Sequence, residues 1–264
     1  MSDCSISIPL WAAPGVAFPK AETLARELGI SQIDTLPNKG PLLRLTQERL
    51  EFCTLGDPEL PGSLWVDFDS ARWQKRSQFS GRELLIQAAR IRGVEQPLLI
   101  DATAGLGRDG FLFAAHGFRV QMIEANPVVA ALLANGLERA SRLPHLAAIT
   151  ARIRLVLGNS VDILATLQEQ PAVMYLDPMF PLRTKSAKVK QNLRLLQLLD
   201  QHDRAPEALL AAALKTGARK VVVKRPLKGP FLADQPPSYT LKGKAVRFDV
   251  YLGPEKKESP ARLT

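Results

Sequence analysis

Leu98-Leu99-Ile100-Asp101-Ala102-Thr103-Ala104-Gly105-Leu106-Gly107-Arg108-Asp109-Gly110 decides the fold of this 264-residue chain. The apolar run from Leu98 to Ala102 reads as a buried strand. A glycine-rich turn follows, and the stretch from Asp109 to His116 reads as a helix. Strand, glycine loop and helix in this order open a βαβ unit, whose glycines let the backbone pass close to a ligand with no Cβ in the way. The next strand candidate, Arg119 to Ile123, ends at Glu124, 19 residues beyond Gly105.

Outward from this unit the same texture repeats. Further strands are expected at Ile153 to Leu157, Val173 to Leu176 and Lys220 to Val223. Helices are expected at Val128 to Arg142, Val161 to Gln168, Val189 to Leu199 and Pro206 to Lys215. Such alternation predicts an α/β fold, a mostly parallel sheet with helices on both faces. Ser238 to Leu241 and Val246 to Leu252 flank Lys242-Gly243-Lys244, which predicts a C-terminal antiparallel hairpin. Upstream, Phe79 to Ile91 reads as an amphipathic helix, with Ser80 as N-cap and Glu83 completing a capping box. Residues 1–70 read as a small α+β extension with a helix from Lys20 to Gly29 and strands such as Leu42 to Leu45 and Leu64 to Phe68. The expected division is this extension, a main domain over residues 71–255 and a tail over 256–264.

Composition bounds the function. Two cysteines, Cys4 and Cys53, cannot build a disulfide framework and read as reduced thiols. No apolar run approaches the roughly 18 residues of a membrane span, and no basic-then-apolar leader opens the chain. A cytoplasmic protein with no membrane partner is expected. The net charge of +9 is unevenly spread: residues 183–264 hold 18 Lys+Arg against 7 Asp+Glu, while the rest hold 17 against 19. A positive excess confined to the last third points to a polyanionic partner.

The glycine loop alone fits two cofactors. Gly105-x-Gly107-x-x-Gly110 with a later acid satisfies the dinucleotide fingerprint of an NAD-dependent oxidoreductase. Asp101 and Asp109 tilt the reading the other way, because carboxylates beside the loop repel a pyrophosphate. They favour the sulfonium and ammonium of S-adenosylmethionine. Asn159 and Ser160, after the third strand, are placed to meet the adenine edge, although Asn or Ser before Val161 also reads as an ordinary helix cap.

A second signal is Tyr175-Leu176-Asp177-Pro178-Met179-Phe180-Pro181. A buried strand ending in Asp-Pro-x-Phe brings a carboxylate (Asp177), a carbonyl held by a rigid proline (Pro178) and an aromatic face (Phe180) to one strand tip. Those groups suit a flat ring carrying an exocyclic amine. Such a nitrogen is a poor nucleophile, and acceptors that draw its hydrogens out of the ring plane assist methyl transfer by positioning and electrostatics. Methylation of a ring carbon would call for a cysteine nucleophile, and neither Cys4 nor Cys53 has that setting. His116, His145 and His202 have no metal-ligand spacing and read as surface histidines. Cations cluster after the strand tips: Arg183, Lys185, Lys188, Lys190 and Arg194, then Lys220, Lys224, Arg225 and Lys228, then Lys242, Lys244 and Arg247. Around an extruded base they would hold phosphates, with Arg72, Lys75, Arg76 and Arg82 extending the patch.

Five stretches together resemble the ribosomal RNA small subunit methyltransferase J family. They are Asp-Ala-Thr-Ala-Gly-Leu-Gly-Arg-Asp at 101–109, Asn-Pro-Val-Val-Ala-Ala-Leu-Leu at 126–133, Tyr-Leu-Asp-Pro-Met-Phe-Pro at 175–181, Val-Val-Val-Lys-Arg-Pro at 221–226 and Arg-Phe-Asp-Val-Tyr at 247–251. The resemblance implies a class I, Rossmann-like methyltransferase that uses S-adenosylmethionine to methylate N2 of a guanine near the 3′ end of bacterial 16S rRNA. It implies cofactor contacts at Arg108, Asp109, Glu124, Ala125, Asn159, Ser160 and Asp177. Ala125 stands where many relatives carry Arg, so only its backbone is assigned. Asn159-Ser160 stands where Ser-Ser is common. Other readings of the same residues are an N6-adenine methyltransferase on RNA or DNA, and a non-catalytic RNA-binding protein that keeps the fold.

Overall fold

The computed structural model describes residues 8–60, 62–70, 83–178, 194–199 and 206–254. Two sheets organise them. The larger has seven strands: β6 (Leu98–Asp101), β7 (Arg119–Glu124), β8 (Ile153–Leu157), β9 (Val173–Leu176), β10 (Lys220–Pro226), β11 (Tyr239–Lys242) and β12 (Val246–Leu252), in the order β11-β12-β10-β9-β6-β7-β8. β12 alone runs against its neighbours, pairing antiparallel with both β10 and β11. The expected parallel sheet with a terminal antiparallel hairpin is therefore present. The chain proceeds from β6 through β7 to β8 on one side, then returns to β9 on the other. Strand order reverses between β6 and β9, and open α/β sheets bind ligands beyond the carboxyl ends of the strands at such a point.

Helices cover both faces: α3 (Arg108–Ala115), α4 (Pro127–Ser141), α5 (Pro144–Thr150), α6 (Ser160–Ala165) and α7 (Pro206–Lys215), with residues 194–199 also helical. Local chemistry sets their starts. Asn126 caps α4 by accepting from the N–H groups of Val128 (2.9 Å) and Val129 (3.0 Å), and Pro127 occupies the first turn, where its missing N–H costs nothing. Leu132 and Leu133 on α4 and Phe111 to Ala114 on α3 are buried in the main core with Val120 and Met122. On the opposite face Leu209 and Leu210 of α7 join Ile100, Met174, Val221 and Val223.

The smaller sheet has five strands, β1 (Leu10–Ala12), β2 (Gln32–Ile33), β3 (Gly40–Leu45), β4 (Leu50–Leu55) and β5 (Ser63–Leu64), in the order β2-β1-β3-β4-β5, with α1 (Phe18–Leu28) alongside. Its buried side chains are continuous with the larger core. Phe68 stacks on Phe111 with ring centroids 4.1 Å apart, and Leu50 N donates to Asn135 Oδ1 at 3.0 Å. Gly136 sits inside α4, where glycine costs roughly 1 kcal/mol relative to alanine. A Cβ there would lie 2.4 Å from Val66 Cγ1, so the glycine is what lets this segment press onto the helix.

Two expectations differ from the structure. The helix expected from Phe79 is described only as α2 (Leu84–Ala89), with Glu83 extended at its N-cap (φ −67°, ψ 130°). Glu83 precedes the helix and cannot be the third residue of a capping box, and Ser80 lies outside the described residues. The strand expected from Leu64 to Phe68 is only β5, since residues 65–67 make no ladder bonds.

Candidate active site

The pairing register builds the site. Asp101 lies opposite Tyr175, and Leu176 lies opposite Val223. Asp177 and Lys224 are thus neighbours just past the ends of β9 and the paired part of β10, and Asp101 closes the row on β6. Lys224 Nζ donates to Asp109 Oδ2 at 2.7 Å and to Asp177 Oδ2 at 2.8 Å. The Tyr175 hydroxyl donates to the same Asp109 oxygen at 2.7 Å. The Asp177 backbone N–H donates to Thr103 Oγ1 at 2.6 Å, which fixes the strand tip to the glycine loop. Asp101 Oδ1 accepts from Thr103 N at 3.1 Å.

Three carboxylates and one ammonium share this space. Burial, reinforced by Asp109 and Asp177, pushes the Asp101 carboxyl up to about 8. Burial also raises Asp177, against the opposing pull of Lys224. Burial opposes charge on Lys224, but Asp109 and Asp177 outweigh it and hold the ammonium above the ordinary lysine range. Burial and the surrounding carboxylates keep the Tyr175 phenol protonated. Three carboxyl groups against one ammonium leave an excess of acidic groups beside the glycine loop.

Gly105 and Gly107 adopt left-handed backbone conformations (φ +54° and +72°), which only glycine enters cheaply. A Cβ on Gly105 would meet only Thr103 O, at 4.0 Å, so this turn presents bare backbone to open space. Gly105 N donates to Glu124 Oε2 and Asn126 N to Glu124 Oε1, each at 2.8 Å. Glu124 is 2% exposed, and Ala125 follows it at the tip of β7. Past β8, Asn159 caps α6 by accepting from Val161 N (2.8 Å), and Ser160 Oγ donates to Ala102 O (2.6 Å). Asp101, Gly105, Gly107, Arg108, Asp109, Glu124, Ala125, Asn159, Ser160, Asp177 and Pro178 therefore all lie at or just past the carboxyl ends of β6, β7, β8 and β9, on one end of the sheet. An open glycine turn ringed by acidic groups fits S-adenosylmethionine, whose sulfonium and ammonium outnumber its carboxylate, and does not fit a pyrophosphate.

The expected phosphate ligands divide. Lys242 and Lys244 are exposed on the β11–β12 turn, and Val246 pairs with Pro226, so the turn lies at the same edge as Asp177. Arg225 differs from expectation. It is 3% exposed, and its Nε and Nη2 donate to Pro230 O at 3.0 and 2.8 Å. Arg247, also buried, pairs with Asp249 (2.9 Å) and donates to the carbonyls of Pro226, Leu227, Gly229 and Pro230. Both arginines shape the loop after β10, and neither presents its charge to a phosphate. Lys224 differs too, with its charge already engaged by two carboxylates. Phe180, Arg183, Lys185 and Lys188 lie outside the described residues, as do Lys190, Arg72, Lys75, Arg76, Arg82 and His202. His145 pairs with Asp69 at 2.7 Å, and His116 Nδ1 lies 2.9 Å from Leu112 O.

Sequence reasoning missed Thr103, Tyr175 and the true setting of Lys224. A signal was available for the last: a cation directly ending the buried run Val221-Val222-Val223, on the strand next to the one that ends in Asp177.

Among the described residues no helix is long and apolar enough to cross a membrane. A family model for SAM-dependent methyltransferases, SAM_MT, matches residues 24–253. Ribosomal RNA small subunit methyltransferase J of Thioalkalivibrio sulfidiphilus is 43% identical over 256 residues, covering 96% of this chain and 99% of that one. Its counterpart in Pseudomonas aeruginosa (strain UCBPP-PA14) is 44% identical over 212 residues, covering 79% and 81%. The solved structure of the SAM-dependent methyltransferase NGO1261 from Neisseria gonorrhoeae superposes with a TM-score of 0.75 at 33% identity, covering 93% of this chain and 96% of that one. With its glycine loop, its acid-tipped strands and its near full-length relatives, the chain belongs to the ribosomal RNA small subunit methyltransferase J family of SAM-dependent methyltransferases.

Proposed function

We propose that this enzyme transfers a methyl group from S-adenosylmethionine to the exocyclic N2 amine of a guanine in 16S ribosomal RNA, in the cytoplasm, on the RNA or the small subunit. The observation that carries the reading is the 43% identity across 96% of the chain to a relative named as a small-subunit ribosomal RNA methyltransferase. The geometry agrees with it. The donor supplies an electrophilic methyl. The chain's own work is to hold the amine in line and draw its hydrogens away from the ring.

Asp177 suits that work. Its side chain is 36% exposed, and Lys224 occupies Oδ2. Among the described residues Oδ1 accepts no hydrogen bond, which leaves it for one N2 hydrogen. Pro178 has no N–H of its own, and its carbonyl can take the second. Loss of the amine's planarity frees the nitrogen lone pair to form the new N–C bond as the methyl–sulfur bond breaks, S-adenosylhomocysteine is the leaving group, and the nitrogen's surplus proton passes to water. Phe180 is assigned to stack on the ring. Asp101 and Asp109 favour the cationic donor, the Gly105–Gly107 backbone lets it approach, and Glu124, Ala125, Asn159 and Ser160 border its nucleoside. Lys242 and Lys244, with Arg183, Lys185 and Lys188, are assigned to RNA phosphates. In this reading residues 71–255 are the methyltransferase domain, residues 1–70 a small α+β extension, and 256–264 a tail.

Mass mapping of modified nucleosides in 16S rRNA, from cells with and without the protein, tests the reading. One N2-methylguanosine should vanish with the protein. Loss of an N6-methyladenosine instead would move the target to adenine, and an unchanged map would overturn the proposal.

A further inference from the structure

We propose that Lys224 is a positioning residue for methyl transfer: it holds the Asp177 carboxylate ionised and oriented, with Oδ1 toward the target amine, and takes no part in binding RNA. The inference rests on the functional reading above and deepens it.

The geometry is specific. The Lys224 ammonium bridges Asp109 Oδ2 and Asp177 Oδ2 at 2.7 and 2.8 Å, and its side chain is 23% exposed. Among the described residues, groups from several elements meet Asp177 or feel its charge. β10 sends Lys224, α3 sends Asp109, β6 sends Asp101, β9 itself sends Tyr175, and the glycine loop sends Thr103. Lys224 is the one cation in that set of described residues. The others are carboxyls, a phenol held by a carboxylate and a hydroxyl that has accepted the Asp177 N–H.

Two consequences follow from charge alone. A phosphate brought to Lys224 would also be brought against two carboxylates, so this lysine is a poor RNA ligand despite its place in a basic stretch of sequence. And without Lys224, burial and the negative charge on Asp109 would favour the protonated form of Asp177. A protonated carboxyl is a weaker acceptor and is free to turn. Lys224 opposes both changes through one ion pair. Asp109 modulates the effect, since it competes for the ammonium and repels the Asp177 charge. Tyr175 in turn anchors Asp109 from below.

The test uses the full chain with 16S rRNA or small subunits, in single turnover at saturating donor. Lys224→Met keeps the length of the side chain and removes its charge. The acid limb of its pH profile should move upward, with the rate at a given pH falling about tenfold for each unit by which the Asp177 pKa comes to exceed that pH. Lys224→Arg should restore part of the rate. RNA affinity and the slope of its salt dependence should match wild type, and bound S-adenosylhomocysteine should report an intact site. Asp109→Asn provides a check of opposite sign, because it should move the acid limb downward.

A Lys224→Met protein with weaker RNA binding and a flatter salt slope would overturn the proposal in favour of a phosphate contact. So would an unshifted profile in a variant that still binds S-adenosylhomocysteine. If Lys224→Met failed to fold, the decision would pass to Asp109→Asn, where an upward or absent shift is fatal. A wild-type chain that left rRNA unmodified would overturn the functional reading along with this one, whereas active wild type with an unshifted variant would overturn only the role of Lys224.

Discussion

Gly105 and Glu124, 19 residues apart, are joined by a backbone-to-carboxylate hydrogen bond of 2.8 Å. The second Glu124 oxygen takes the Asn126 N–H at the same distance. One buried carboxylate thus fastens the glycine loop after β6 to the turn after β7, and sets the two relative to each other. Glu124→Gln places an amide NH₂ against one of two backbone donors. A buried N–H left without an acceptor costs about 1–3 kcal/mol. Urea unfolding should show a loss of that size, and calorimetry should show weaker binding of S-adenosylhomocysteine as the loop loosens. Unchanged stability would mean that the loop is held by other interactions.

Asp101 gives a pH signature. Its carboxyl ordinarily titrates at 3.8 and here is pushed up to about 8 by burial, with Asp109 and Asp177 adding to the effect. Between those values the folded chain holds a proton that the unfolded chain has released. Stability from this group is therefore complete below pH 3.8 and declines as pH rises toward 8. A bound cation favours the ionised form, so donor affinity should rise with pH on the approach to 8. Asp101→Asn should flatten the Asp101 share of the melting-temperature profile and remove the pH dependence of donor binding. Calorimetric melts and titrations at several pH values check both. A variant that keeps the wild-type pH slopes would remove Asp101 from the account.

Much of the sheet is legible in the sequence because its strands are short apolar runs closed by punctuation. β8 stops before Gly158 and β9 starts soon after Pro171, so the ends of both can be read closely. Strands that carry charge into the core are harder to read. β4 is Leu-Glu-Phe-Cys-Thr-Leu, and Glu51 within it is 1% exposed. Burial works against the charge on Glu51, but hydrogen bonds from Ser63 and Arg44 outweigh it and leave its pKa lowered. Those partners lie on other strands, so the residue reads as surface until the pairing is known. Arg225 and Arg247 mislead for the same reason, because the carbonyls and the carboxylate they satisfy come together only when the loop after β10 folds back. α5, Pro144–Thr150, is too short to show helical periodicity. The site's backbone devices are legible, since glycines and Asp-Pro announce themselves. The ion pairs within it depend on strand register, which the sequence does not display.

The hairpin turn is where RNA affinity should reside among the described residues. Lys242 and Lys244 are exposed at the edge that carries Asp177, and the salt bridges seen among the described residues do not include them. Each phosphate deprived of its cation should lower the log–log salt slope by about 0.7–0.9. Lys242→Glu with Lys244→Glu should therefore weaken RNA binding and flatten its salt dependence, while S-adenosylhomocysteine affinity stays at the wild-type value. Filter binding across a salt series gives the slope, and calorimetry gives the cofactor affinity. An unchanged slope would put the RNA on another face.

Asp177→Ala separates chemistry from fold. Asp177 lies just past the end of β9, and its strand tip is held by the backbone bond to Thr103 Oγ1, which the substitution leaves in place. The melting temperature should therefore change little. The rate should not survive, because the variant lacks the acceptor aimed at the amine and leaves Lys224 paired with Asp109 alone. Removal of one preorganised hydrogen-bonding partner costs on the order of 10² or more in rate. Single-turnover methylation at saturating donor isolates that loss from any change in cofactor affinity. RNA affinity should stay near wild type, since Asp177 adds no positive charge to the RNA surface. A near-native rate would leave Asp177 as a turn residue that ends β9, and would move the search for the amine's acceptor to the Pro178 carbonyl and the chain beyond it.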